Sequence, residues 1–464
     1  MLACQKSTYN VNNKDEYTLR FNILRDEASI DKMIQELTTP IKNVKVDIKN
    51  DIVSQWIQRR KRVFSKGWTK AIIKNTLMHM YDNYTSTIFV TIRNRKPELY
   101  IIYNTELNNL KTPILNKIRL PCNLPPWIRV RATGCLLNFE LKNDKEFKPF
   151  SCNGKEMIDK EWYKTPSYTP IFYYDEFKRF LEYLCKHRAI PDMDFVINYK
   201  DQIIAPQTLK THQMLPIYSN CTADGYNDIP ILTPDELIQI FNIHSISRDC
   251  KNPYKGLKTP AWKDRKSTVI FRGSATGCGN DVNNNMRFAV AALDAVWKKN
   301  NLYNDKNSID GEPFLDAGVV SWGTRRMKVI RGTNRANYPN IKVLTSVHGI
   351  KLKPFMTMQE QRDYKYVLYV EGNVLAYRLG YLFSTKSVVF YVKSAYKPWF
   401  YDKLKHKENC IMIESNLSNL AENITWCKKN DDVTSKIAKS GYNLYKDIIG
   451  NKEYAMDYME QILI

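Results

Sequence analysis

The chain predicts an α/β protein built around two sheets, and three features of the sequence carry that prediction. Apolar strand-like runs alternate with stretches at helical spacing, glycine turns follow strands directly, and a Pro-rich polar segment divides the pattern in two.

The elements follow in order. Residues 1–45 are polar and weakly periodic, and are expected to form an N-terminal extension or a peripheral helical arm. "STIFVTI" (86–92) and "ELYIIYN" (98–104) flank the polar "RNRKP", which reads as a hairpin. In "YYDEFKRFLEYLCKH" the residues Phe177, Phe180, Leu181 and Leu184 recur at helical spacing, and the strand-like "DFVIN" (194–198) comes next. "NPYKGLKTPAWKDRK" (252–266) breaks the pattern, so the expected domains are 46–255 and 256–464, with the last helices packing back on the first.

After the break, "STVIF" is a strand, "GSATGCGN" a loop and "NNMRFAVAALDAVWKK" (284–299) a helix expected to turn Phe288, Ala291, Ala292 and Val296 to one side. "YKYVLYV" and "SVVFYV" read as strands, and "LAYRLGYLF", "SNLAENITWCKK" and "SKIAKSGYNLYKDII" as helices. Such alternation argues for parallel sheets under covering helices.

Composition excludes several classes. The 464 residues are 43% hydrophobic and 25% charged, as in globular domains, and no apolar run is long enough for a spanning helix. The start "MLACQKSTYNVNNKDEY" lacks the apolar centre of a signal peptide and the chain ends "MEQILI" without a retention signal, which predicts a cytoplasmic protein. Accordingly the ten cysteines, none in a C-x-x-C pair, read as reduced thiols, and the sequons at Asn83, Asn220, Asn416 and Asn423 as unused.

A net charge of +22 raises nucleic acid as a partner. However, Lys, Asn, Ile and Tyr, all abundant here, share AT-rich codons. "RRKR" (59–62) and "RNRK" (93–96) also lie in separate segments without interleaved aromatics. No specific nucleic-acid partner is expected, and a basic nucleic-acid-binding protein without catalysis stands as the alternative reading.

The chemistry concentrates in "IFRGSATGCGN" (270–280), an arginine and three glycines at a strand end, where open α/β sheets bind ligands. Gly273, Gly277 and Gly279 do not form G-x-G-x-x-G, and no G-K-[ST] follows, so neither a dinucleotide fingerprint nor a P-loop is present. Arg272 at the mouth of a buried strand requires an anion, either phosphate or a carboxylate of the protein. Arg287 lies in the next helix, and Arg378 follows "YKYVLYV" and the turn "EGN". Two strand-end loops each bringing an arginine to one crevice would neutralise a diphosphate without metal. Asp201, shortly after "DFVIN", is either a general base aimed into a cleft or a capping aspartate. "DMD" (192–194) has the form of a metal-binding D-x-D but precedes its strand, and reads as a loop with no metal expected.

At these residues the chain resembles glycosyltransferase family 90, the group of the capsule-associated fungal proteins and animal protein O-glucosyltransferases. The resemblance lies in "DMDFVINYKDQ" (192–202), "STVIFRGSATG" (267–277) with Arg287 downstream, "LDAGVV" (315–320), and "YKYVLYVEGNVLAYRLGYLFSTKSVVFYVKSAYKPWFYDKLK" (364–405) with "NLSNLAENITW" and "NDDVTSKIAKSG" beyond. It implies a GT-B fold of two Rossmann-like domains across a cleft, and inverting, metal-independent transfer of a glucosyl- or xylosyl-type sugar from UDP to a protein or glycan hydroxyl. By position it makes Asp201 the base, and makes Arg272, Gly273, Ser274, Thr276, Gly277, Arg287, Gly372 and Arg378 the donor site. Trp162, Tyr163 and Tyr199 are candidates to stack a sugar, or else core residues.

Overall fold

A computed structural model of the chain describes residues 19–20, 22–24, 27–36, 70–83, 86–103, 139–142, 146–149, 171–199, 202–205, 214–243, 256–277, 282–283, 285–306, 308–321 and 350–463. Asp201, Trp162 and Tyr163 lie outside these residues. In chain order the first elements are β1 (Leu19–Arg20), β2 (Asn22–Leu24), α1 (Glu27–Glu36), α2 (Lys70–Asn83), β3 (Ser86–Arg93) and β4 (Lys96–Tyr103). There follow β5 (Phe139–Lys142), β6 (Glu146–Pro149), α3 (Ile171–His187), β7 (Met193–Asn198), β8 (Ile217–Ser219), β9 (Ile229–Pro230) and α4 (Pro234–Phe241).

The first sheet has the order β2-β4-β3-β7-β8-β9. Its centre is the expected hairpin, paired from Ser86↔Tyr103 to Arg93↔Lys96. Asn94 and Arg95 turn it with φ of 50° and 64°, the left-handed pair whose twist matches the flanking strands. Strand residues then alternate between two cores. Ile88, Val90, Ile92, Phe195 and Ile197 pack with Phe177, Phe180, Leu181 and Leu184 of α3, while Phe89 and Val196 pack with Ile30 and Met33 of α1 and with Ile73 and Leu77 of α2. Asn22–Leu24 pairs in parallel with β4, so this part of the N-terminal stretch is built into the sheet. The sheet is mixed, because a two-residue turn can only join antiparallel strands.

The second sheet is formed by β10 (Lys266–Ser274), β11 (Leu315–Ser321), β12 (Tyr364–Tyr369), β13 (Val388–Val392) and β14 (Ile411–Ile413). Every pairing is parallel, in the order β11-β10-β12-β13-β14. Its helices are α5 (Met286–Lys299), α6 (Met358–Gln361), α7 (Leu379–Ser384), α8 (Leu420–Lys429), α9 (Asp431–Leu444) and α10 (Lys452–Leu463). Both faces are buried, as parallel sheets require. Val269, Phe271, Tyr366, Leu368 and Phe390 face the α5 and α8 side, and Ile270, Val367, Tyr369, Val389 and Tyr391 face α7 and α10.

Two local expectations are corrected. In α5 Phe288 and Ala291 are buried as expected, but Val296 is 46% exposed and Trp297 turns inward instead, because the face of Val290 returns seven residues on, at 297. Asp194 is not in a loop: it is a fully buried residue of β7 whose Oδ2 pairs with Arg93 at 2.8 Å. Asp192 Oδ1 accepts from the Asn94 amide at 2.6 Å, so both carboxylates of "DMD" are committed to the hairpin turn.

The two sheets are tied together by the C-terminal half. Tyr218 donates to the Ile462 carbonyl at 2.8 Å, and Tyr458 to the Pro230 carbonyl at 2.6 Å. Thr222 and Lys397 exchange backbone hydrogen bonds of 3.0 and 2.8 Å, and Trp399 Nε1 donates to Glu236 at 3.0 Å. Asn220 and Asn423, two of the sequon asparagines, are 1% and 7% exposed.

Candidate active site

The chain passes from β10 through α5 to β11 on one side and returns to place β12 on the other. The strand order therefore reverses between β10 and β12, and the crevice outside their carboxyl ends is where open α/β sheets bind ligands. Arg272 to Gly277 line one side of this switch point and Glu371 to Arg378 the other.

Sequence brought three arginines to this region, and the structure gives each a different environment. Arg272 is 8% exposed and ion-paired: one terminal nitrogen donates to Asp316 Oδ2 at 2.7 Å, the other to the Asp316 carbonyl at 2.7 Å. Of the two anions the sequence left open, this is the protein carboxylate. Burial by itself would raise the Asp316 carboxyl, but bonds from Arg272 and Lys353 outweigh it and hold it at about 2. Lys353 Nζ also reaches Asp294 at 2.8 Å, and Lys298 Nζ lies 3.0 Å from Asp294 and 3.7 Å from Asp316, so an ion-pair network of three cations and two carboxylates underlies the loop.

Arg287 is positioned by the start of α5, where the Asn285 side chain accepts from the Arg287 and Phe288 amides at 3.0 and 3.3 Å. Its guanidinium donates to three carbonyls: Glu371 at 2.6 Å, Ser274 at 2.7 Å and Val370 at 3.4 Å. It therefore laces the ends of β10 and β12 to each other.

Arg378 stands just before α7. One terminal nitrogen donates to the Arg272 carbonyl, and the guanidinium lies 5.1 Å above the Phe271 ring. Among the described residues no carboxylate pairs with it. Burial pushes it down to about 10, with Tyr369 opposing. A desolvated guanidinium without a counter-charge is costly, and an arriving anion removes the cost.

The glycines make room for these groups. A Cβ at Gly273 would stand 3.0 Å from the Phe271 ring, 3.3 Å from Arg287 and 3.4 Å from Arg378. Gly277 adopts φ of +120°, and a Cβ there would lie 3.1 Å from the Gly372 carbonyl. A Cβ at Gly372 would meet Arg287 at 3.3 Å and the Thr276 hydroxyl at 3.5 Å. The Gly277 amide donates to Asn373 Oδ1 at 3.1 Å, fastening one loop to the other. Ser274 and Thr276 are half-buried at the rim, the Thr276 amide donating to the Ser274 carbonyl at 2.7 Å.

Gly273, Ser274, Thr276, Gly277, Arg287, Gly372 and Arg378 are thus brought together, and Arg272 supports them from beneath. Tyr199 is 1% exposed, a core residue with no face for a sugar. Sequence reasoning did not single out Asp316, Lys353 or Asn285. Only Asn285 had a readable signal, as the polar residue before an apolar helix. Glu371 also closes on this end of β12: burial raises its carboxyl, while a bond from Ser394 and the charge of Arg287 oppose the rise.

The family model "Glycosyl transferase family 90" matches residues 161–464. Uncharacterized protein 179R of Invertebrate iridescent virus 6 is 27% identical over 332 residues, covering 61% of this chain and 27% of that protein. Uncharacterized protein 035R of Invertebrate iridescent virus 3 is 28% identical, covering 62% of this chain and 26% of its own length. Human Protein O-glucosyltransferase 3 is 25% identical over 282 residues, covering 60% of this chain and 48% of the relative. The chain thus spans about a quarter of the two viral relatives and about half of the human one.

Proposed function

The chain belongs to glycosyl transferase family 90, and on that premise we propose that it moves a hexose or pentose from a UDP-sugar to a hydroxyl of a protein or glycan acceptor. The transfer inverts the anomeric carbon and uses no metal. The observation that carries this reading is Arg378: a desolvated guanidinium without a carboxylate partner, facing a glycine loop at the switch point of a parallel sheet.

In this mechanism the UDP diphosphate lies against Gly273, Ser274, Thr276, Gly277 and Gly372. Arg378 meets its charge directly, while Arg272 and Arg287 hold the two loops in place. Asp201 takes the proton of the acceptor hydroxyl, and the oxygen attacks the anomeric carbon from the face opposite the diphosphate. The bond from that carbon to the β-phosphate oxygen breaks, and its electron pair leaves on UDP, where Arg378 stabilises it. The first sheet supplies the acceptor side and the second the donor side, in a GT-B arrangement.

The direct test is a thermal melt with and without UDP in the presence of a chelator, followed by hydrolysis assays on UDP-glucose, UDP-xylose, UDP-galactose and UDP-N-acetylglucosamine. A metal-independent UDP shift with slow hydrolysis of one donor supports the reading. No shift, or one strictly requiring Mn²⁺, overturns it.

A further inference from the structure

Glu371 places a carboxylate at the rim of the crevice, beside Gly372 and in the loop that leads to Arg378. Its backbone carbonyl is fixed by Arg287, whose Nε donates to it at 2.6 Å. Its side chain is held by Ser394, two residues beyond β13, whose hydroxyl donates to Oε2. β13 lies on the side of β12 away from β10, so the carboxylate leans from the glycine loop towards the next strand, about 4.8 Å further along the sheet.

The Tyr396 amide donates to Ser394 Oγ at 3.1 Å, and the one hydroxyl proton of Ser394 goes to Glu371. Oε2 is therefore locked as an acceptor, while among the described residues no hydrogen bond reaches Oε1. Glu371 is half-buried, and burial raises its carboxyl against the bond from Ser394 and the charge of Arg287. Such a carboxylate is costly to keep where a neutral side chain would pack as well. It also repels phosphate, the group that the neighbouring Gly372 and Arg378 are suited to receive. The cost is offset where the open oxygen accepts from hydroxyls, since hydrogen bonds to an ionised acceptor are about twice as strong as neutral ones. A UDP-sugar carries hydroxyls on both rings that flank its diphosphate, the ribose and the transferred sugar.

We propose that Glu371, oriented by Ser394, is a specificity-determining residue that reads the donor by accepting a hydrogen bond from a ring hydroxyl beside the diphosphate. This rests on the reading of the crevice as a UDP-sugar site. The diphosphate then lies over the β10 and β12 ends and the ring over the β12 and β13 ends, where its hydroxyl meets Oε1. The carboxylate works by discrimination: it disfavours a bare diphosphate and favours one that carries the right hydroxyl.

The test measures binding of inorganic pyrophosphate, UDP, 2′-deoxy-UDP, 3′-deoxy-UDP and the four UDP-sugars by melting-shift titration of the full chain, as wild type, Glu371→Gln, Glu371→Ala and Ser394→Ala. Glu371→Ala is expected to bind pyrophosphate as well as wild type or better, and the hydroxyl-bearing ligand at least about tenfold more weakly. Glu371→Gln, which keeps an oxygen for Ser394 and preserves the fold if the alanine does not, shows the same divergence in smaller measure. Ser394→Ala weakens the discrimination without touching pyrophosphate. If the ribose is read, wild type prefers UDP to one of the deoxy-UDPs and the variants lose that preference. If the transferred sugar is read, the variants bind UDP as wild type does and lose the affinity that the sugar adds to UDP. Variants that keep every one of these preferences, or that lose pyrophosphate, UDP and UDP-sugars equally, overturn the inference. A wild-type protein that binds neither UDP nor any UDP-sugar overturns the transferase reading itself, a separate failure.

Discussion

The Arg272 guanidinium is closed onto the Asp316 carboxylate at 2.7 Å, and its own backbone carbonyl receives Arg378. One arginine of the pair is thereby neutralised and builds the loop, while the other is held with its charge unspent. This division of labour separates what substitutions at the two positions should do.

Arg378→Ala should abolish the UDP-induced melting shift while leaving the melting temperature of the free protein close to wild type or higher, because it removes a desolvated cation. Arg272→Ala should behave oppositely in the free protein. It leaves Asp316 with Lys353 at 2.6 Å and Lys298 at 3.7 Å but without its guanidinium bonds, a loss of about 1–3 kcal/mol visible in denaturant unfolding.

Asp316 also predicts an acid limb. Its folded carboxyl is held at about 2, below its ordinary 3.8, so its contribution is fully present above about pH 4 and is lost as pH falls towards 2. Asp316→Asn should flatten stability against pH in that window, measured by urea unfolding.

Glu236 has the opposite sign. It caps its own helix with Thr233, receives Trp399 Nε1, and is buried enough that its carboxyl rises to about 7. The folded state retains a proton that the unfolded chain loses near 4.5, so stability should decline as pH rises from about 4.5 to about 7 and then level off. Glu236→Gln should remove that decline in the same unfolding series.

Gly277→Ala places a methyl 3.1 Å from the Gly372 carbonyl at a φ of +120°. It should cost about 1–3 kcal/mol and weaken UDP binding, whereas Gly256→Ala, also at positive φ but in open space, should cost stability without touching UDP binding.

Tyr377→Phe removes the hydroxyl that pairs with the buried Asn220 amide across the two sheets. Leaving that donor unmatched should cost about 1–3 kcal/mol, read by chemical denaturation.

The hairpin at Ser86–Tyr103, the helix at Ile171–His187 and the parallel elements from Lys266 onward were legible because each announces itself through local periodicity and turn chemistry. The mixed character of the first sheet and the edge strand Asn22–Leu24 were not, since an edge strand of three residues is defined by its partner and not by its own pattern. Asp194 was misplaced for a related reason. "DMD" looks like a polar loop until Arg93, 101 positions away in the chain, supplies the counter-charge that lets its second aspartate lie inside a strand.

At the candidate site, sequence alone determined that a glycine loop and three arginines stand at strand ends, because backbone demands and strand boundaries are encoded locally. It left open whether Arg272 meets phosphate or a carboxylate, and only the tertiary structure decided that it meets Asp316, while Arg378 remains unpaired with any described carboxylate. The physical reason is that an ion pair is a property of the distance and dielectric between two groups. Those are set by which strands lie side by side, here β10 between β11 and β12, and not by the order of residues along the chain.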